Sequence, residues 1–210
     1  MSHQATTRLL LEPAPAGLAV VQDLLNTRDI GRKVPDLLGT PEQARAWLID
    51  ELAPAPPGAA DRPDQSWVAE LSERELSVRE LSDLRSLRSA VQRLISGGPW
   101  PADRQTVKTT LTISASGEVR LRPAGSGLRA FAAAVWCEIF LAQQAGSLKR
   151  LKLCHNPVCS SAFYDRSKNN SGVWHDVKMC GNAANLRASR ARRRADGGAG
   201  VDASGSGGAV

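Results

Sequence analysis

Two spaced pairs near the C-terminus, Cys154-x4-Cys159 and His175-x4-Cys180, constrain what this chain can fold into more than any other feature. Three thiols and one imidazole make the donor set of a closed, four-coordinate structural Zn2+ site. Such a site dictates local structure, because ligands far apart in sequence must converge on one ion. The two equal spacings select Cys154, Cys159, His175 and Cys180 as the ligands. His155 competes for the fourth place, but a residue adjacent to Cys154 turns back onto the same ion only with difficulty. Asn156-Pro157 supplies the turn inside the first pair. Leu151 and Leu153, alternating with Arg150 and Lys152, read as a strand leading into it, with Phe163-Tyr164 as the return strand. The competing reading is a set of buried free thiols acting as small hydrophobes. Their polar and basic surroundings suit it poorly.

Directly behind Cys180, Gly181-Asn182 opens an alanine-rich segment that runs to Arg194, composed of helix-favouring residues. Arg187, Arg190 and Arg194 stand at i, i+3 and i+7 on one stripe, with Arg193 beside it. Guanidinium forks suit phosphate oxygens and guanine edges. The turn Arg166 to Asn170 adds Arg166 and Lys168 as lateral phosphate contacts. The candidate nucleic-acid contacts are therefore Arg166, Lys168, Arg187, Arg190, Arg193 and Arg194. Charge distribution points the same way. Eleven Lys and Arg face only Asp165 and Asp176 between Lys149 and Arg194, so the rest of a chain of net charge +6 is net acidic. A solvated, non-specific basic tail is the competing reading. Trp174, next to a ligand, is expected to pack on the knuckle, with base stacking its lesser use.

Upstream, the pattern is that of a mainly helical α+β domain. Leu18, Val21, Leu24 and Leu25 share one helical face within Gly17 to Asn26. Thr40-Pro41-Glu42-Gln43 is a helix start, and that helix should run to about Leu52. Residues 53 to 65, rich in Pro and Ala, read as a loop or linker. Ser72-x-x-Glu75 and Ser77-x-x-Glu80 both offer capping boxes before a strong helix through Leu81, Leu84, Leu87, Val91, Leu94 and Ile95, which Gly97-Gly98-Pro99 stops. A short helix is expected from Ala102 to about Lys108. Alternation from Leu111 to Arg122 around Ser-Gly-Glu predicts a β-hairpin, and Gly127 to Ala145 predicts a second, core helix. The division that follows is an α+β domain over 1–148, a zinc module of short hairpin and basic helix over 149–195, and a disordered Gly/Ala/Ser tail over 196–210.

Hydrophobic residues make up 42% of the chain but aromatics only 4%, so a small terminal module needs a metal to supplement its packing. The longest apolar stretch, Phe131 to Leu141, is too short to span a membrane and contains Glu138. The N-terminal residues lack the apolar core of a signal peptide. A cytoplasmic protein is expected, and in a reducing compartment its cysteines read as ligands. Cys137, alone in an apolar helix, reads as a buried structural thiol. His3 is the single histidine before the motif, and acidic residues spread along helix faces. With four protein ligands closing the metal shell, no enzyme is expected.

Cys154-His-Asn-Pro-Val-Cys159, Phe163-Tyr-Asp-Arg-Ser-Lys-Asn-Asn170, Trp174-His175 and Cys180-Gly-Asn182 resemble the bacterial CGNR zinc finger. In that family four cysteines usually bind zinc, and the helix after the last ligand opens Cys-Gly-Asn-Arg. Here His175 stands where cysteine is usual, and Ala183 stands in the place of the name-giving arginine. The N-terminal part is similar to the ABATE domain, with Leu24-Leu25-Asn26-Thr27 matching its hydrophobic-Asn-Thr signature. The resemblance implies a stress-induced, DNA-binding transcription regulator. RNA binding is the alternative, and a zinc-stabilised protein-interaction adaptor a third class. The N-terminal domain is read as sensing a small-molecule effector or mediating assembly, and a homodimer is expected because one short helix seldom supplies high specificity alone.

Overall fold

The structure, a computed structural model, describes residues 2–30, 34–52, 70–71, 73–101 and 106–198, the side chains of 194–198 excepted. Helix α1 spans Gln4–Thr7, α2 Leu18–Asn26, α3 Pro41–Leu52, α4 Val78–Ile95 and α5 Gly127–Gln144. Between α4 and α5, strands β1 (Thr109–Ile113) and β2 (Val119–Pro123) form an antiparallel hairpin with Leu111 opposite Leu121. After α5, β3 (Leu151–Leu153) pairs antiparallel with β4 (Ala162–Tyr164). A π-helical turn, Val177–Gly181, then leads into α6, Asn182–Gly198.

Local chemistry sets these boundaries. Thr40 accepts the Gln43 N–H at 3.3 Å, with Pro41 in the first helical position of α3. At α4 the expected capping box is complete: Ser77 accepts the Glu80 N–H at 3.2 Å, and Glu80 accepts the Ser77 N–H at 2.9 Å. Arg74 pairs with the same carboxylate and, with these bonds, holds Glu80 down to about 2. The end of α4 is a Schellman motif, in which Gly97 takes φ 68° and the Gly98 N–H reaches the Arg93 carbonyl at 3.0 Å. The loop expected over 53–65 and the box expected at Ser72 lie outside the described residues. So do the tail beyond Gly198 and residues 102–105 of the expected short helix. Thr106–Lys108 are not helical. Lys108 instead accepts the Ala124 N–H at 3.3 Å, which continues the β1–β2 ladder outward.

One hydrophobic core gathers α2, α3, α4 and α5. Trp47 meets Phe131 edge-on at 5.8 Å, among Leu24, Leu48, Leu84, Val91 and Val135. Truncating Trp47 to Ala at such a site costs about 3–5 kcal/mol. The β3–β4 hairpin belongs to this same core, since Leu151 and Ala162 are buried in it. A single 3-10 turn, Leu148–Arg150, connects α5 to β3. The contact between α2 and β4 is polar as well as apolar. Asn26, fully buried, donates to the Ala162 carbonyl at 3.0 Å and accepts the Ala162 N–H at 2.8 Å, so its amide pairs with β4 as a neighbouring strand would. Gln22 adds a second donor to the same carbonyl at 3.2 Å. No helix among the described residues is long and apolar enough to cross a membrane.

Candidate metal centre and nucleic-acid interface

The first knuckle is built by Asn156, whose carbonyl accepts the N–H groups of Cys159 and Ser160 at 2.8 and 2.9 Å. This tight turn places Cys154 and Cys159 side by side at the mouth of the β3–β4 hairpin. The second pair is set by Asp176, which caps the π-helical turn. Its carboxylate accepts the Met179 N–H at 2.7 Å and its carbonyl the Cys180 N–H at 2.9 Å. Glycine at 181 lets the turn close against Trp174, since a Cβ there would sit 3.3 Å from the ring and the ring would have to give by a few tenths of an ångström.

These turns bring the ligand atoms of Cys154, Cys159, His175 and Cys180 within 4.8 Å of one another. The three cysteines are buried, and His175 is half-buried. His175 Nδ1 lies 3.4 Å from Cys159 Sγ. Tetrahedral zinc, with bonds of about 2.0–2.3 Å, separates neighbouring donors by about 3.5–3.8 Å, so the cluster fits such an ion. His155 is excluded from it. That side chain is exposed and turned edge-on to Trp174 at 5.9 Å. Trp174 is half-buried against the cysteine cluster, the packing role expected of it.

The titration pattern explains why a cation is needed. Burial pushes the Cys180 thiol up to about 12. At Cys159 burial acts in the same direction, but hydrogen bonds with His175 and Ser161 outweigh it and hold the thiol down to about 6. His175, bonded to Cys159 and Cys154, is raised to about 9. The protein's own groups thus stabilise a thiolate–imidazolium pair at Cys159 and His175, while burial opposes ionisation of Cys180. A divalent ion would supply the charge that favours thiolate ligands.

An outer ring of hydrogen bonds holds the ligands. Ser161 Oγ meets Cys159 Sγ at 3.1 Å. Asn156 donates to Cys180 Sγ at 3.2 Å, and Arg187 in turn donates to the Asn156 amide oxygen at 3.0 Å. Arg187 stands four residues beyond Ala183, on the same face of α6. A guanidinium from that face therefore braces the centre although position 183 lacks one.

The remaining candidate contacts fall into distinct environments. Arg166 is bound to the Pro13 carbonyl at 2.8 Å and the Glu12 carboxylate at 2.9 Å, and lies over the Tyr164 ring. It ties the finger to the segment ahead of α2. Lys168 is exposed at the tip of a loop organised by buried Asp165, which accepts from Lys152, Ser167 and Gly172 at 2.7–2.9 Å. Burial alone would raise the Asp165 carboxyl, but these donors hold it well below the usual carboxylate range. Arg190 and Arg193 are exposed on α6. The side chain of Arg194 lies outside the described residues.

A second cluster went unforeseen in the sequence. His3, Asp23 and Glu51 bring ligand atoms within 4.8 Å of one another, with both carboxylates fully buried. Their bonding is already committed to the fold. Asp23 accepts from Thr6 at 2.7 Å and from Trp47 Nε1 at 2.8 Å, and Glu51 meets His3 Nδ1 at 2.9 Å. Burial raises Glu51 to about 7, and the bond to Glu51 raises His3. The cluster staples the N-terminal segment to α2 and α3. Residues 3, 23 and 51 share no sequence spacing, so no pattern announced it.

Two family models match the chain. The ABATE model, described as "Putative stress-induced transcription regulator", matches residues 18–145, more than half of the sequence. The CGNR zinc finger model matches residues 150–193. No curated protein matches the chain.

Proposed function

We propose that this chain, which belongs to the ABATE family and carries a CGNR zinc finger with a Cys3His cluster able to bind zinc, is a DNA-binding transcriptional regulator of the cytoplasm. The observation that carries this reading is the position of α6. It starts immediately after the ligand Cys180 and turns Arg190 and Arg193 to solvent. A metal site at the base of a helix fixes its direction, and exposed arginines along it neutralise phosphates. Lys168, exposed at the tip of its loop, offers a further cation. The metal is structural in this reading, since four protein donors complete its shell and leave no position for substrate. The finger spans 149–195, and the ABATE part regulates or assembles it.

DNA is favoured over RNA by the state of the aromatics. Recognition of unpaired bases uses free ring faces, whereas Trp174 packs on the cysteines and Tyr164 lies under Arg166. The test uses the zinc-loaded chain with duplex DNA, structured RNA and single strands at one stated salt concentration. Duplex DNA should bind most tightly. The double variant Arg190→Ala/Arg193→Ala should bind it more weakly, with the slope of log K against log salt reduced by about 0.9 per lost contact and zinc content unchanged. Arg187 is left intact because it braces Asn156. Tighter binding of RNA would move the assignment to RNA. Equal binding by the double variant would remove α6 from the interface. Failure to bind any nucleic acid would point to protein contacts, for which Val177, Met179 and Leu186 are exposed beside the centre.

A further inference from the structure

The β1–β2 hairpin is amphipathic, and its apolar face is on the outside. Leu111, Ile113, Val119 and Leu121 share one face, since Leu111 pairs with Leu121 and Ile113 with Val119. Threonines 110 and 112 and arginines 120 and 122 occupy the other. Burial runs opposite to expectation for a sheet in water: Leu111 is 68% exposed, Ile113 74% and Val119 61%. The helix beside it continues the patch, with Phe140 51% and Leu141 46% exposed. Hairpin and helix enclose an open groove of about 530 Å³, lined by Leu111, Val119, Leu121, Trp136, Phe140 and Leu141 and, among the described residues, by no charged side chain.

We propose that this groove and hairpin face form the interface of a homodimer, each copy seating its hairpin against the hairpin and α5 of the other. The area supports a second copy. Side chains of this size and exposure present several hundred Å² of apolar surface, on the scale of the ~800 Å² that each partner buries in a standard complex. Depletion of charge and a high apolar fraction are the marks of homodimer interfaces. A small-molecule site would hold converging polar groups to orient its ligand, and among the described residues this groove offers only Thr109 and the Cys137 thiol. A two-stranded sheet is marginal alone in water and gains from a covering layer. An isologous contact closes on itself and leaves no open face. The inference is independent of what α6 binds.

Sedimentation of the full zinc-loaded chain tests it. The expected mass is that of two chains, dissociating only on dilution. Leu111→Glu/Ile113→Lys should sediment as one chain with unchanged far-ultraviolet circular dichroism and zinc content, because both side chains are exposed in the single chain and their replacement leaves its core intact. A wild-type chain that stays monomeric at high concentration overturns the proposal, including one that instead takes up an apolar dye in the groove. A dimer that survives the double substitution places the interface elsewhere and overturns it equally. Should the double variant aggregate, Val119→Thr, which keeps strand propensity, must weaken the dimer measurably, and no weakening again overturns the proposal.

Discussion

At the scale of single residues, the informative side chains are those whose role is fixed by a partner. Arg187 reads in sequence as a nucleic-acid contact, yet it is bonded to Asn156, which is bonded to Cys180. Outer partners of metal ligands typically contribute about 10–100-fold to affinity. Arg187→Ala should therefore lower zinc affinity by that order in competition with a chromophoric chelator, with Arg187→Lys intermediate. An unchanged affinity would show that Asn156 holds without it. His3 and Glu51 make a second coupled pair, and both are raised above their ordinary values. The sign follows from proton counting: between about 4.5, where Glu51 would titrate in the unfolded chain, and about 7, the folded state holds the extra proton. The stability this contributes is full below the unfolded value and lost as pH rises through the folded one. His3 extends that loss above 6.5. Glu51→Gln should flatten the fall in stability from pH 5 to 8 relative to wild type, measured by urea unfolding. Parallel curves for the two proteins would refute this account.

At the scale of elements, the finger divides into parts held by different forces. Strands β3 and β4 rest on the core through Leu151 and Ala162 and on Asn26 through two hydrogen bonds. Among the described residues, the knuckle at 154–160 and the π-helical turn at 177–181 contribute only the cysteines to their own small cluster, with Ile30 and Trp174 packed beside it. Helix α6 buries still less, and Leu186 is exposed. Its order should depend on the metal at its first turn, since most helical stability in proteins comes from tertiary packing and this helix has little of it. Chelation should thus act unevenly. By hydrogen exchange, amides of the knuckle, the turn and α6 should lose protection, while those of β3 and β4 keep most of theirs. Uniform loss through β3 and β4 would mean that the metal, and not the core, holds the hairpin.

At the scale of the whole molecule, the finger is continuous with the helical body. Its hairpin completes the core beneath α2, and Arg166 adds a surface tie to Glu12 and Pro13. The longer helices and both hairpins were legible in the chain, because their causes are local: the Ser77–Glu80 box, the Gly97 stop, the alternation of β1 and β2, and the paired spacings that chose His175 over His155. The short turns at Gln4–Thr7, Leu148–Arg150 and Val177–Gly181 were not. Thr106–Lys108 read as helix but are not helical, and Lys108 instead continues the hairpin through its bond from Ala124, a partner not encoded nearby. The sequence by itself determined which residues could hold zinc, where the helices begin and end, and where positive charge gathers, for each depends on neighbours within a few turns. Only the tertiary structure decided that Asn26 clamps β4, that Arg187 serves the metal centre while Arg190 and Arg193 face solvent, that His3 meets Glu51, and that the apolar side of the β1–β2 hairpin faces outward. Those outcomes depend on which groups from distant segments satisfy one another once water is excluded, and buried polar pairing across such distances leaves no periodicity to read.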